Sequence, residues 1–422
     1  MNAFTLKPVD TVDTRAHAGA DFRATFRAET PGTARVLHVN AAGAGLPPGC
    51  VTRAMTAFLE REAEVGPHWA ADEVRTDLAA IRRSCADLMA CRLDQVAFGE
   101  SAGRLWAMAM LAMPVRRGAR ILIARSDWAG NLINLFKRAR VDGVSVEIMP
   151  VDAAGRVDVA ALGAAIDERT AALCMPLVGS GSGQRQPVEA VARLPRPEGS
   201  LFFVDAAQSL GREPVDMETL GADVLVAPAR KWLRGPRGQA LMALSDHALA
   251  RLGDPPLLDQ AGSAWTRPGG YTTRSDAARF EAFEFAVAGR LGLGAAVTHL
   301  GRFGVGSVCE AIRRILRRLA DGLDTIDGLR AFERAEDDPA FLTFAVDGLS
   351  AETVGLGLAA AGICAATVGR DYARLELEAR GVRAVTRLAP HAYTSDEEID
   401  RLVDVLADIV AKARRRPGRR AG

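Results

Sequence analysis

The sequence predicts an α/β chain, with a large domain on a mostly parallel sheet followed by a smaller α+β domain. Three observations predict it. Short apolar runs rich in Val, Ile, Leu and Phe recur through the middle of the chain. Amphipathic segments separate most of them, and strands alternating with helices build parallel sheets covered on both faces. After about residue 295 the alternation gives way to long helical segments. A chain of 422 residues is also too long for one small core, so a large domain with a smaller one is the natural arrangement.

Taken in order, residues 1–35 are expected to pack on the small domain or on a partner subunit. The large domain is expected over residues 36–295. Within it, FGESAGRLWAMAML (98–111) reads as a Gly/Ser/Ala turn opening a helix whose apolar face includes Leu105, Met108 and Leu111. RILIA (120–124), SVEIMPV (145–151), AALCMPLV (171–178), LFFVDAA (201–207) and DVLVAPA (223–229) read as buried strands. NLINLFKRARVDG, VAALGAAIDERT and PVEAVARLP supply amphipathic segments between them. The small domain is expected over 296–412. One long helical stretch, VTHLGRFGVGSVCEAIRRILRRLADGLDTI, leads into FLTFAVDGL, ETVGLGLAAAGI and the charged helix SDEEIDRLVDVLADIVAKA. Residues 413–422 are expected to be a solvated, disordered basic tail.

Composition narrows the function. The net charge of +1 gives no electrostatic footprint for nucleic acid. No apolar run approaches the ~20 residues that cross a bilayer, and the first residues lack a secretory core. The six cysteines and six histidines are dispersed, without metal-site spacing. These features imply no metal, no membrane and a reducing, cytoplasmic setting.

The chain writes its positive charge almost entirely as arginine. There are four lysines (7, 137, 231 and 412) against 49 arginines. Lys7 and Lys412 lie near the termini, and Lys137 falls on an amphipathic run. Lys231 follows a strand, in VLVAPARKWLRGPRG (224–238). A guanidinium stays protonated, whereas a partly desolvated amine can attack a carbonyl. Asp205 ends the run LFFVD, and ligands of open α/β sheets sit beyond the carboxyl ends of the strands. A lysine and an acid at neighbouring strand ends suit pyridoxal 5′-phosphate, which needs an amine for its aldehyde and a carboxylate for its pyridine nitrogen. The turn at Ser101, Ala102 and Gly103 could cradle its phosphate, Arg230 could neutralise it, and Gln208 could reach the ring hydroxyl.

The order FGESAGRLW … FFVDAAQSLG … APARKWLRGPRG … TRLAPHAYTSDEEID resembles the class V aminotransferase family of fold type I enzymes, over roughly residues 36–410. Within it, the resemblance is to the isopenicillin-N-epimerase-like and C–S lyase-like branch. It implies a mostly parallel seven-stranded sheet sandwiched by helices, and a homodimer with active sites at the subunit boundary. It implies that Lys231 holds the cofactor, Asp205 its pyridine nitrogen and Gln208 its phenolate oxygen. Trp128, in RSDWAGN, takes the position of the ring stacked on the cofactor. Ala102 and Gly103 face the phosphate, Arg387 binds the substrate carboxylate, and Asn40, in HVNAAGAG, lies near it. The chain departs from the family at Ala227-Pro228-Ala229, where many relatives carry a phosphate-binding hydroxyl. Ser180 or Ser182 substitutes for a ring-proximal polar residue in GSGSGQRQP (179–187), and ARFEAFEFA (278–286) lacks a Gly-Thr that reaches a neighbouring subunit's phosphate.

A cysteine desulfurase needs a mobile cysteine on a small-domain loop. Cys364, in AAAGICAATV, lies about seven residues before that place and reads as part of a buried strand. The branch resemblance implies β-elimination of a cysteine S-conjugate to pyruvate, ammonia and a thiol or sulfenate, the kind of step that trims thiol conjugates in secondary metabolism. Transamination, epimerisation, decarboxylation and a non-catalytic binding role are the alternatives.

Overall fold

The computed structural model describes residues 20–414. Seven strands form the large sheet: β1 (Val96–Gly99), β2 (Arg120–Ile123), β3 (Ser145–Ile148), β4 (Thr170–Pro176), β5 (Leu201–Asp205), β6 (Val224–Pro228) and β7 (Ala240–Leu244). Their spatial order is β1-β7-β6-β5-β4-β2-β3. Strand β7 runs antiparallel to both neighbours, and the other pairs are parallel. Strands β5 and β7 are buried along their whole length, which is why their sequences are apolar without alternation. The period of two still sorts side chains. Phe202 and Val204 enter the core on one face, while Leu201 and Phe203 enter the core on the other.

Five of these strands match the apolar runs of the sequence. β1 and β7 do not stand out there: VAFG is short, and ALMAL is built from good helix formers. Sheet pairing decides both, since β7 fills the slot between β1 and β6 and satisfies their backbone groups.

Helix α1 (Ala20–Ala28) packs onto the end of the chain. Phe22 and Phe26 meet Phe303 edge-on, and Arg23 and Arg27 pair with Asp396 and Glu398 at 2.9 and 2.7 Å. Helix α2 (Ala102–Ala112) follows β1, and α3 (Ala129–Asp142) follows β2. The long helical stretch of the sequence is two helices. α4 (Val287–Phe303) and α5 (Val305–Asp324) break at Gly304, whose φ of 77° ends the first. Helix α4 packs on Gly49–Val65 and Arg75–Leu88, so the expected boundary at 295 falls within a continuous helix.

A four-stranded antiparallel sheet follows: β8 (Leu329–Ala331), β9 (Leu342–Val346), β10 (Ala366–Gly369) and β11 (Ala384–Leu388), in the order β8-β9-β11-β10. Helix α6 (Arg370–Ala379) leaves β10 and packs against α3 of the large sheet's layer. Helix α7 (Asp396–Arg414) closes the described chain, so residues 413 and 414 of the expected tail are its last turn. The rest of that tail, like residues 1–19, lies outside the described residues. Among the described residues, no helix is long and apolar enough to cross a membrane.

Candidate active site

Parallel strands end together, and the carboxyl ends of β4, β5 and β6 meet in register, with Pro176 beside Asp205 and Asp205 beside Val226. A cavity of about 320 Å³ opens there, within the size range of small-molecule sites. Its wall includes Asp205, Gln208, Lys231, Arg230, Trp128 and Arg387, together with Ser101, Ala102, Gly103 and Ser180. These residues come from six separate stretches of chain, and the fold alone brings them together.

Lys231 lies just past β6. Burial lowers its ammonium pKa to about 7, because a charged amine is costly away from water. The Asp205 carboxylate pulls the value back up, while Arg387 and Arg230 push it down. Asp205 is raised by burial and held back by Lys231, by the backbone N–H of Ala207 at 2.8 Å and by Asn131 at 3.2 Å. The loop at Gly45 seats closely on the lysine: a Cβ there would come 2.6 Å from the Lys231 carbonyl.

The Gln208 amide is locked. Its Oε1 accepts from the Trp232 indole at 2.9 Å, and its Nε2 donates to the Ala42 carbonyl at 3.2 Å. One Nε2 hydrogen remains for a ligand oxygen. Arg387, on β11, reaches across from the small sheet. Its guanidinium donates to the Ser180 carbonyl at 3.2 Å and lies over the Phe341 ring. Its Nε and the Ser180 hydroxyl are buried without partners. Arg230 donates to the Gly43 carbonyl, and burial lowers its pKa, with Arg237 adding to the shift. Neither Arg387 nor Arg230 has a carboxylate within salt-bridge distance among the described residues. Ser101 caps α2 by accepting the Arg104 N–H at 3.2 Å. The start of that helix is open backbone: a Cβ on Gly103 would lie 2.9 Å from the Trp128 ring.

Asn40 stands behind the cavity wall at Ala42 and Gly43. It bridges Ala389, and its amide packs against Gly43, where a Cβ would come 2.5 Å from its Oδ1. Ser182 is buried with an unpartnered hydroxyl and is also absent from the wall. Sequence reasoning missed Gln239, Thr367, Val368 and Tyr372 in the wall, and Asp127 and Asn131 behind Asp205. The last two carried a signal: a polar pair four residues apart, opening a helix directly after a strand.

The residues fit pyridoxal phosphate. A buried amine and a buried carboxylate share one cavity, bare helix-start backbone faces it, and a serine hydroxyl and an arginine Nε stand there unpartnered. Unsatisfied buried polar groups are rare in folded proteins and mark places where a ligand completes the set. Fold and cavity together define an enzyme of the fold type I pyridoxal-phosphate class.

The pattern that defines aminotransferase class V matches residues 36–402. The chain belongs to that family, whose cofactor is pyridoxal 5′-phosphate. It is 26% identical over 382 residues to a probable cysteine desulfurase of Methanothermobacter thermautotrophicus, covering 88% of this chain and 94% of the relative. Among solved structures, it superposes on a cysteine desulfurase from Thermococcus onnurineus NA1 with a TM-score of 0.85 at 22% identity, covering 92% of this chain and 98% of the other. It also superposes on the cystine C–S lyase C-DES, solved with its product cysteine persulfide, with a TM-score of 0.81 at 22% identity, covering 90% and 99%.

Proposed function

We propose that the chain is a C–S lyase that cleaves a cysteine S-conjugate by β-elimination. With one water consumed, the products are pyruvate, ammonia and a thiol, or a sulfenate where the substrate sulfur is oxidised. The observation that supports this reading best is the absence of cysteine from the cavity wall. The similar proteins described above include cysteine desulfurases, and such an enzyme needs a reactive thiol to take sulfur from the substrate. Here the small-sheet edge at the cavity presents Thr367 and Val368, and the helix that follows presents Tyr372. Cys364 sits back in a two-residue strand paired with His38, and burial pushes its thiol pKa up, away from the nucleophilic form. The structural neighbour C-DES is named a cystine C–S lyase, with cysteine persulfide as its reaction product.

Lys231 would hold the cofactor, Asp205 would face its ring nitrogen, and Trp128 would lie against its ring. Ser101, Ala102 and Gly103 would bind its phosphate with Arg230 neutralising the charge, while Gln208 and Ser180 would donate to its ring oxygen. Bound pyridoxal phosphate supplies the sink for the electron pair left at the substrate Cα. The protein does the rest. Arg387 grips the α-carboxylate with a planar fork, and Asn40 braces the Gly43 backbone beside it. Once freed, the Lys231 amine would be placed to take the Cα proton, and the sulfur would leave with the Cβ–S bonding pair.

The test is product analysis. Purified protein incubated with S-alkyl cysteines should release pyruvate and thiol in equal amounts, and with cystine it should release pyruvate and cysteine persulfide in equal amounts. Alanine with sulfur retained on the protein would mark a desulfurase. A keto acid still carrying its sulfur substituent would mark a transaminase.

A further inference from the structure

The cavity wall ends at Asp205, but the polar structure behind it continues. Asp127 and Asn131 are 3% and 1% exposed, and both belong to the turn that starts α3. The Asn131 Nδ2 donates to Asp127 Oδ1 at 3.0 Å and to Asp205 Oδ2 at 3.2 Å. One amide nitrogen has two hydrogens, and here each goes to a different carboxylate. Asp127 Oδ1 also accepts the Trp128 backbone N–H at 2.7 Å. The titratable groups that act on this carboxyl pair are the Cys174 thiol on β4 and, beyond Asp205, Lys231.

We propose that Asp127 is a positioning residue for Asp205, acting through Asn131, so that a buried carboxyl–amide–carboxylate chain sets the plane and charge of the group facing the cofactor ring. This rests on the reading of the cavity as a pyridoxal-phosphate site. The geometry explains why an acid lies behind an acid. Asp127 fixes the Asn131 amide so that its nitrogen, not its oxygen, faces Asp205. With the nitrogen turned inward, Asp205 Oδ2 receives a donor that favours its ionised form. With the amide reversed, its oxygen would face a carboxylate and repel it. Burial and the neighbouring Asp205 charge raise the Asp127 carboxyl to about 7. Near neutral pH its protonated form is therefore substantially populated, which relieves the repulsion between the two carboxyl groups. The same turn places Trp128, so one short segment orders both the ring-facing indole and the carboxylate.

The experiment measures the affinity of the apo-protein for pyridoxal phosphate by fluorescence titration, with thermal stability recorded in parallel. Asp127→Ala should weaken cofactor binding about tenfold, and Asn131→Ala should do the same. Asp127→Asn should stay within about threefold of wild type, because its amide oxygen can accept the same two bonds. The double variant should bind no more weakly than Asn131→Ala alone, since the two residues act as one unit. The bound cofactor's absorbance should change at a shifted pH in Asp127→Ala and at the wild-type pH in Asp127→Asn. Unchanged affinity in Asp127→Ala, additive losses in the double variant, or equal damage from Asp127→Asn would each overturn the proposal. If Asp127→Ala does not fold, the comparison of Asn131→Ala with Asp127→Asn decides it. Wild-type protein that fails to bind the cofactor overturns the site reading instead, so the two failures are distinct.

Discussion

The reactivity of Lys231 can be tested through its proton. An ordinary lysine, with a pKa near 10.4, is neutral at pH 7 in roughly one molecule in 2,500. Burial beyond β6 brings Lys231 to about 7, so half the molecules carry a free amine. The cavity thus raises the reactive fraction roughly a thousandfold at neutral pH. The assay is the rate of pyridoxal phosphate capture by apo-protein, followed by absorbance from pH 5.5 to 10. The rate should climb through pH 7 and level off above 8. Asp205 holds the ammonium form up, so Asp205→Asn should move the midpoint to lower pH. Lys231→Arg keeps the charge and has no usable lone pair, so it should capture no cofactor covalently. A midpoint near 10, or covalent capture by Lys231→Arg, would refute the reasoning.

Arg387→Lys should raise KM for S-substituted cysteines about tenfold with a smaller change in kcat, because an ammonium cannot reproduce the two-pronged bond to a carboxylate. Steady-state kinetics checks it. The buried histidines His38 and His299 are both held at about 4, mainly by burial. Unfolded, they take up protons near pH 6.5; folded, near 4. Their stabilisation is complete above pH 6.5 and is lost as pH falls through 4, amounting to about 2 kcal/mol for each at pH 5. Urea midpoints at pH 7 and pH 5 should show that fall, and His299→Gln should lessen it. Trp265 and Phe283 are 82% and 64% exposed, near the exposed Leu257 and Tyr271 in the same stretch of sequence. Large apolar side chains held open to water favour a partner surface, so the chain should be a homodimer that Trp265→Ser with Phe283→Ser weakens, as read by light scattering.

How much was legible depended on how local each signal was. Parallel strands announce themselves by apolar composition, and β2 to β6 were readable for that reason, although β3, at the sheet edge, is not buried. Strand β7 was not, because ALMAL favours a helix until its neighbours demand a strand. The break at Gly304 was hidden by strong apolar periodicity on both sides. At the site, Lys231 and Asp205 stood out by residue type and by position at strand ends, and the structure places both in one cavity. Arg387 was one arginine among 49 and was reachable through family resemblance alone. Asn40 was likewise reached through resemblance, and the structure sets its amide against Gly43 of the wall, with the amide oxygen buried and unpartnered. Thr367 on β10 and Tyr372 on α6 meet the cavity only through tertiary packing, and nothing local marks them.

The most direct test uses the scarcity of lysine. Purified holoprotein is reduced with borohydride, digested, and its peptides are weighed by mass spectrometry. With four lysines in the chain, the site of attachment is unambiguous. The cofactor mass should appear on the peptide carrying Lys231 and on no other. Attachment at Lys7, Lys137 or Lys412, or no attachment in protein that binds the cofactor, would contradict the account.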